Sequence, residues 1–531
     1  MFMPFLPLAK KGLLLALPLL LAGAAAPAAG QKGPLGVFEA QTHLGEGAGT
    51  GAYDASEQVY AVRTTGGPHL AWRRIQGDLV LRARLQDRSE TAPRTGWMVR
   101  SSLADTATVV TGAVHSDGRT VLRVRDGTDD SPKAVRVPVD HPDVLELKRE
   151  GPTFVLSAAR FGDSFTRDSV AGLDLGSEVY VGLFVSSDGE AEARFHNVRL
   201  ITPAPDSLVP YEDDLGSNLE TMSVETGRRT IHHRSPTSLQ APNWTPDGEA
   251  LIYNSGGLLY RFDLATKTPK AIDTGFADDN NNDHVLSPDG TRLGISHHAE
   301  AHDGASIIYT VPIEGGTPTQ VTPNGPSYLH GWSPDDRFLV YTGERNGEYD
   351  LYKIPVDGGE EIRLTTAEGL DDGSEYTPDG EYIYFNSVRS GSMEIWRMRP
   401  DGSHPEQLTD DRFNNWFPHV SPDGETVVFL SYPPSVPPGD HPFYKHVYLR
   451  KMPIDGGTPE VIAYVYGGQG TINVPSWSPD GTRIGFVSNT GTKGKDVPSP
   501  RPFLTDHVPA KLKSCSPYLF PLTPPPAASR I

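Results

Sequence analysis

The chain has 531 residues, with 67 acidic side chains against 47 Lys and Arg, and a formal net charge of −20 at pH 7. This balance argues against a nucleic-acid-binding protein, because phosphate backbones are bound by clustered lysines and arginines. The 55 glycines and 48 prolines lie between short apolar runs, a pattern of turns that predicts an all-β protein of two or three domains at roughly 150 residues per domain.

Residues 1–30 have the composition of an export signal. Lys10 and Lys11 precede an apolar run over residues 12–21, and small residues with A-x-A-type cleavage sites follow. A membrane anchor is the alternative, but the run is shorter than the ~20 residues that cross a bilayer. The single cysteine, Cys515, leaves no disulfide and no lipid attachment near the cleavage region. We expect a signal peptide, a periplasmic or secreted location and no stable membrane insertion after cleavage.

Residues 35–202 contain many short runs with alternating apolar and polar side chains, separated by turns such as SDG at 116–118. This pattern predicts a two-sheet β-sandwich. The stretches GWMVRSSL, REGPTFVLSAARFGDSF and VYVGLFVSSDGEAEARFHNVRL resemble the concanavalin-A-like (laminin-G-like) family. The resemblance implies a jelly-roll sandwich of a kind often used to bind sugars. Four side chains are candidates for a binding platform, with burial in the core as the alternative for Trp72 and Phe184: Trp72, Trp97, Arg100 and Phe184.

Residues 210–490 repeat one tight-turn motif, SPDG or a close variant. Its six copies begin at Thr245, Ser287, Ser333, Thr377, Ser421 and Ser478, spaced 42 to 57 residues apart. Each copy except the last is followed by three strand-like runs, and in four units a DGG-type turn joins the last two. Four strands at this period predict the blade of a β-propeller.

The two ends of this repeat region each contain half a blade. Residues 218–232 read as a third and a fourth strand, and the last unit has only two strands. Joined, they close a ring of six blades, which removes exposed sheet edges. These residues resemble the TolB-like β-propeller family in its stand-alone periplasmic form of biopolymer-transporter Tol type. The closing residues 491–531, rich in proline and without an alternating run, are expected to be a disordered tail.

The loops between the second and third strands, and between successive blades, are expected on the face opposite the SPDG turns. They are long and contain eight of the 17 histidines, and loops on a rigid scaffold are where function usually lies. Four side chains near the start of innermost strands are predicted to surround the channel and to bind a divalent transition metal, with hydrogen bonding to backbone as the alternative. They are His284, His330, Glu375 and His419. Asp283, Asp371, Asp372 and Asn415 are neighbours that would support them.

Two further residue sets are predicted on this face. For binding a sugar ring or an acidic group, the candidates are Trp416, Asn415, Asp372, His441, Tyr444 and Lys445. The DH-x-x-SPDG element also resembles part of the oligogalacturonate lyases, propellers with a histidine-rich metal centre. If the protein is an enzyme, the candidates for proton transfer and for holding a substrate carboxylate are His298, His330, Arg345 and Arg389.

The leading hypothesis is therefore an exported protein that binds a carbohydrate, a cell-envelope polymer or a periplasmic protein without catalysis, and that does not bind nucleic acid. The alternative is a metal-dependent polysaccharide-degrading enzyme, lyase-like, with its site at the channel mouth. No nucleophile elbow, P-loop or dinucleotide fingerprint is present in the sequence. A Tol-system component that contacts an outer-membrane lipoprotein is a third hypothesis, although this chain has a predicted sandwich where such a component has an α/β domain.

Overall fold

The computed structural model describes residues 35–89, 92–127 and 132–491. The predicted signal peptide and residues 492–531 of the predicted tail lie outside these ranges. Within them, no helix has the length and apolarity needed to cross a bilayer.

The described residues from 40 to 201 form two seven-stranded antiparallel sheets, here called the two-sheet region. One sheet has the order β1-β4-β13-β6-β7-β8-β9 and the other β12-β11-β10-β5-β14-β3-β2. The strands are β1 (Ala40–His43), β2 (Gly49–Asp54), β3 (Val59–Thr64), β4 (Gly67–Gln76), β5 (Leu79–Arg88), β6 (Arg94–Arg100), β7 (Val109–His115), β8 (Thr120–Arg125), β9 (Lys133–Val137), β10 (Val144–Glu150), β11 (Thr153–Ala159), β12 (Thr166–Val170), β13 (Glu178–Ser187) and β14 (Ala191–Ile201).

Alternation along each strand decides which side chains fill the space between the two sheets. On β5, Leu79 and Leu81 enter the shared core, while Arg82 points away from it and bonds to the propeller. Trp97 is fully buried in the same core. Phe184 is buried in a separate cluster with Leu70 and Met98. Trp97 and Phe184 therefore do not form the exposed aromatic platform that the sequence suggested, because both are packed inside the region.

The described residues from 217 to 489 form six antiparallel sheets arranged as blades. Five have four strands, and the sixth combines β16, β15 and β37. The predicted all-β architecture and the six-bladed propeller are confirmed. The strands are β15 (Ser217–Ser223), β16 (Arg229–Ser235), β17 (Gln240–Trp244), β18 (Ala250–Ser255), β19 (Leu258–Asp263), β20 (Thr268–Ala271), β21 (Asn280–Leu286), β22 (Arg292–Ala299), β23 (Ala305–Pro312), β24 (Thr319–Gln320), β25 (Ser327–Trp332), β26 (Phe338–Arg345), β27 (Glu348–Pro355), β28 (Ile362–Arg363), β29 (Asp371–Tyr376), β30 (Ile383–Ser387), β31 (Glu394–Met398), β32 (Glu406–Gln407), β33 (Asn414–Val420), β34 (Thr426–Tyr432), β35 (Lys445–Pro453), β36 (Glu460–Gly467) and β37 (Arg483–Asn489), with one 3-10 turn at Glu300–His302.

The SPDG turn has a local chemical reason. The Ser287 hydroxyl donates to Asp289 Oδ1 at 2.7 Å, and the same carboxylate accepts from the Thr291 backbone N–H at 2.9 Å. Gly290 has a φ of 70°, a left-handed conformation that glycine adopts at little cost. The motif therefore records a turn geometry, and its aspartates need no functional explanation.

The ring closes by pairing the first and last strands of the propeller. β15 pairs with β37 in antiparallel register, from Ser217 opposite Asn489 to Ser223 opposite Arg483. A bridge between Trp477 and Ile484 adds the innermost position of this blade. The final blade is thus built from both ends of the repeat region, as the sequence predicted.

The propeller contacts the two-sheet region through the outer strands of its last two blades. β36 has eight residues and β16 has seven, whereas the outermost strands of the other four blades have two to four. A bridge joins Gly162 to Val461 on β36, and Tyr464 packs with Val144 and Ala159 in one cluster. The longer strands supply the surface that the two-sheet region covers.

Changing Tyr464 to Phe tests this contact. The Tyr464 hydroxyl donates to the Asp163 carbonyl at 2.6 Å across the boundary. We expect Y464F to lower the free energy of unfolding by about 0.5–1.5 kcal/mol, because the part-buried hydrogen bond across the boundary is lost. Denaturant titration measures this. Y382F is the control, since the Tyr382 hydroxyl makes no hydrogen bond to a described residue while its ring contacts with Arg397 and Arg399 remain.

Candidate functional site

A β-bulge interrupts the innermost strand of five blades at an equivalent place. In β33, Trp416 pairs with Leu430 and His419 with Val428, so two residues lie opposite one; β17, β21, β25 and β29 show register shifts at the same level. Phe417, inside the β33 bulge, has a positive φ of 54°. A bulge turns side chains out of the strand's ordinary alternation. Here it brings residues of different blades together around the axis.

An ion pair lies at the centre of this arrangement. His330 Nε2 on β25 is 2.9 Å from Asp372 Oδ1 on β29. The Thr342 hydroxyl donates to the same carboxylate oxygen at 2.6 Å, and His330 Nδ1 lies 3.2 Å from the Asn473 carbonyl oxygen. Both ring nitrogens face acceptors, which is the arrangement of a charged imidazolium. The His330 ring also stacks on Phe417, with centroids 5.9 Å apart.

The pKa values of His330, Asp372 and the nearby Asp283 are shifted in different directions. Burial opposes the charge on His330, but the Asp372 carboxylate outweighs it and raises the pKa of His330 to about 9. Burial also opposes the charge on Asp372, and His330 lowers the pKa of that carboxyl to about 2. Burial raises the pKa of Asp283 to about 7, against the opposing effect of His330 and with a smaller rise from Asp372. The site thus combines one charged pair with an acid that titrates near neutral pH.

Two buried polar atoms beside the pair have no hydrogen-bond partner among the described residues. They are Asp283 Oδ1, an acceptor, and Asn282 Nδ2, a donor. The Asp372 side chain keeps 11% of its area exposed, and His441, stacked on Trp416 at 4.4 Å, is half-buried. We call this group of Asn282, Asp283, His330, Asp372 and His441 the mouth group.

The segment of residues 468–475 connects the fifth blade to the last, is mostly buried and crosses the ring. Its Gly470 carbonyl accepts from the Ala241 backbone N–H at 2.7 Å, on the first blade. Its Ile472 and Asn473 carbonyls accept from histidines on the fifth and third blades. This crossing segment therefore contacts inner strands on several sides of the ring and fixes the rings of those histidines.

The four predicted metal ligands do not form one set. His419 Nδ1 bonds to Glu375 Oε2 at 2.6 Å, while His330 bonds to Asp372. His284 Nε2 lies 3.4 Å from the Ile252 carbonyl oxygen and joins neither pair. Among residues 35–89, 92–127 and 132–491, no three His, Cys, Asp or Glu side chains are arranged to hold a metal ion. The expected convergence of these four side chains is thus corrected to two pairs and a separate histidine, because the bulges differ from blade to blade.

The candidate catalytic residues are also separated. Arg345 donates to Glu361 and to the carbonyls of Pro326 and Glu344, and Arg389 bonds to Asp371 at 2.8 Å. Both guanidiniums hold loops of their own blades. His298 Nδ1 lies 3.2 Å from the Gly304 carbonyl oxygen at the 3-10 turn. Only His330 of this predicted set belongs to the mouth group.

The predicted ligand-binding residues are divided in the same way. Asp372 and His441 lie in the mouth group, with Trp416 fully buried behind His441. Asn415 is fully buried and donates to Glu394 and Thr409. Two others lie away from the mouth: Tyr444, which packs against the two-sheet region, and Lys445, which is exposed at the start of β35.

The sequence did not indicate that Asn282, Phe417 and the crossing segment belong to this site. The run NNND at residues 280–283 was a usable signal, since amides and a carboxylate in an innermost strand have no packing reason to be there. The carbonyls of the crossing segment carry no side-chain signal at all.

The propeller is similar to known proteins. Residues 330–435 match the family model described as TolB beta propeller domain. Uncharacterized protein Atu1656 of Agrobacterium fabrum (strain C58) is 48% identical over 272 residues, which are 51% of this chain and 92% of that protein. A solved structure from Agrobacterium tumefaciens, provisionally assigned as TolB, is 47% identical, covers 52% of this chain and 99% of its own, and has a TM-score of 0.50.

A solved oligogalacturonate lyase in complex with manganese is 19% identical over 51% of this chain and 82% of its own, with a TM-score of 0.36. That similarity is too low to support an argument about activity. The six-bladed ring and the relatives at 47% and 48% identity agree with each other. The chain belongs to the TolB β-propeller family.

Proposed function

We propose that this protein binds a carbohydrate of the cell envelope at the propeller mouth without converting it chemically. The observation that supports the proposal is the unpartnered donor Asn282 Nδ2 and acceptor Asp283 Oδ1 beside the His330–Asp372 pair. Buried polar atoms without partners are rare and mark a place where a ligand group or water belongs. A sugar hydroxyl both donates and accepts a hydrogen bond, so the hydroxyls of a sugar can complement an unpartnered donor and an unpartnered acceptor alike.

We further propose a second binding domain, a cellular location and an alternative partner. Residues 35–202 are proposed to be a concanavalin-A-like domain that contributes a second carbohydrate contact, supported by two seven-stranded sheets that share one core. A periplasmic location is proposed from the composition of residues 1–30. A periplasmic protein is the alternative partner, since backbone amides offer the same donor and acceptor groups as sugar hydroxyls.

Binding of fluorescently labelled protein to a panel of neutral oligosaccharides tests the proposal. We expect N282A and D283N each to weaken binding by about tenfold, since a hydrogen bond to a ligand contributes on the order of 1.4 kcal/mol. D278N is the matched control, because Asp278 is exposed in the loop before the same strand. The proposal is wrong if no neutral glycan binds, or if both variants bind as tightly as the wild type.

One observation favours the enzyme as a second candidate. A carboxyl with a pKa near 7 beside a histidine is suited to moving a proton at neutral pH. In this alternative, Asp283 accepts the proton and His330 stabilises the charge that develops. Mass spectrometry of the bound glycan separates the two candidates: shorter products that disappear in D283N support the enzyme, and an unchanged glycan supports the binding protein.

A further inference from the structure

The two-sheet region presents a row of arginines on the side of one sheet that faces away from the shared core. On β6, Arg94 and Arg100 lie on this side, because Trp97 and Val99 between them enter the core. On β8, Arg123 and Arg125 alternate with the core residues Leu122 and Val124 in the same way. We call the surface formed by Arg94, Arg100, Arg123 and Arg125 the arginine face.

The register of the sheet brings these arginines near one another. Val109 on β7 pairs with Arg100 on one side and with Arg125 on the other. Arg100 and Arg125 are thus two strands apart in one row, about 10 Å at the usual strand spacing. Burial lowers the pKa of Arg94 and of Arg100, and the nearest arginines, Arg123 and Arg125 respectively, lower it further. Like charges are therefore held together.

No described carboxylate forms an ion pair with any of the four. Arg100 donates to the carbonyls of Ser102 and Ala104 at 3.0 and 2.6 Å, and Arg125 donates to the Asp105 carbonyl at 2.8 Å. Carbonyl oxygens orient a guanidinium without neutralising it, and the carboxylates of Asp188 and Asp105 offset the charges of Arg94 and Arg100 only from beyond ion-pair distance. Arg125 Nε is buried and has no hydrogen-bond partner among the described residues. In a chain with a net charge of −20, such a face is unusual.

Aromatic side chains adjoin the arginines. Tyr180 on β13 pairs with Arg100, and its ring meets Trp72 edge to face with centroids 4.9 Å apart. Both rings are half-buried and lie on the same side of the sheet as the arginines. Aromatic rings beside cations suit a ligand that has apolar ring faces and anionic groups together.

We propose that the arginine face binds an acidic polysaccharide, whose carboxylate or sulfate groups pair with the guanidiniums while its sugar rings lie against Trp72 and Tyr180. This deepens the proposed carbohydrate binding of the two-sheet region, but rests on residues remote in sequence from the mouth group. Charge density favours this ligand over nucleic acid. Duplex DNA presents one charge per ~1.7 Å, which a strongly acidic protein repels, whereas an acidic sugar chain is less densely charged.

The inference is tested by titrating the full chain with two kinds of acidic oligosaccharide, carboxylated alginate and sulfated heparin. The salt concentration is 150 mM, about physiological ionic strength. We expect the double variant R123Q/R125Q to weaken binding of the preferred polymer by at least about tenfold, and higher salt to weaken the wild type. R94Q is the second variant, expected to lose less. R63Q is the matched control, because Arg63 is already paired with Glu192 at 2.7 Å. Unfolding midpoints establish that the variants fold.

Failure of both acidic polymers to bind overturns the inference, as does unchanged affinity in R123Q/R125Q. Duplex DNA that binds as tightly as the better polymer would also overturn it, because the ligand class would then be wrong. Neutral oligosaccharides distinguish a failure here from a failure at the mouth group. A wild type that binds acidic polymers but no neutral glycan contradicts only the proposed function, and a wild type that binds neutral glycans but no acidic polymer contradicts only this inference.

Discussion

Replacing Glu220 with Ala is expected to lower the free energy of unfolding by about 3–5 kcal/mol, because it leaves two buried guanidiniums without a counter-charge. Glu220, on β15, is fully buried. It bonds to Arg229 on β16 at 2.7 and 2.9 Å, and to Arg199 at the end of the two-sheet region. Burial opposes its charge, but the two arginines outweigh it and hold the pKa of this carboxyl well below its usual range.

Urea titration followed by tryptophan fluorescence measures this effect. E57A is the matched control: Glu57 also joins the two-sheet region to the propeller, through Arg228, but both side chains are largely exposed. An exposed pair contributes at most about 1 kcal/mol, so E57A should unfold close to the wild type. E220Q is expected to fall between the two, since it keeps the shape and loses the charge. An E220A midpoint that matches E57A would show that the triad does not couple the regions.

Replacing Asp283 with Asn is expected to change how stability depends on pH. The pKa of Asp283 is about 7 in the folded protein, against 3.8 ordinarily. The folded state therefore binds more protons than the unfolded state between pH 4 and 7, and stability falls as pH rises through that window. Asn does not titrate, so D283N avoids this loss. From pH 4 to pH 8, its stability should rise relative to the wild type by on the order of 1–4 kcal/mol.

Three neighbouring groups, which wild type and D283N share, also make stability depend on pH. The pKa of His330, raised to about 9, gives stability that is complete below pH 6.5 and lost as pH rises through 9. Asp372, lowered to about 2, gives stability that is present above pH 3.8 and lost as pH falls through 2. Burial lowers the pKa of His441 to about 4, which costs stability as pH falls from 6.5 towards 4.

Urea midpoints of wild type and D283N are measured between pH 4 and pH 8. The difference between the two midpoints at each pH reports the titration of Asp283, because the neighbouring groups are present in both proteins. D278N serves as the control, because an exposed carboxylate should not produce a growing gap. A constant difference between D283N and wild type across this range would mean that Asp283 is ionised throughout, and the enzyme alternative would lose the near-neutral pKa that favours it.

The sequence by itself determined the architecture of the propeller and the number of blades. Each SPDG turn depends on contacts within five residues, such as those of Ser287, Asp289 and Gly290, so the motif is visible wherever the turn forms. Alternation likewise predicted the two sheets of the N-terminal region, because a strand with one face in a core must repeat every second residue.

Only the tertiary structure decided which side chains meet. His284 and His330 occupy the same distance from their SPDG turns, yet His284 bonds to the Ile252 carbonyl of the preceding blade and His330 to Asp372 of the next. The bulges in β21 and β25 and the carbonyl of Asn473 make this choice. These contacts join residues 32 to 143 positions apart, and a shift of one residue turns a side chain to the other face, so no local pattern records them.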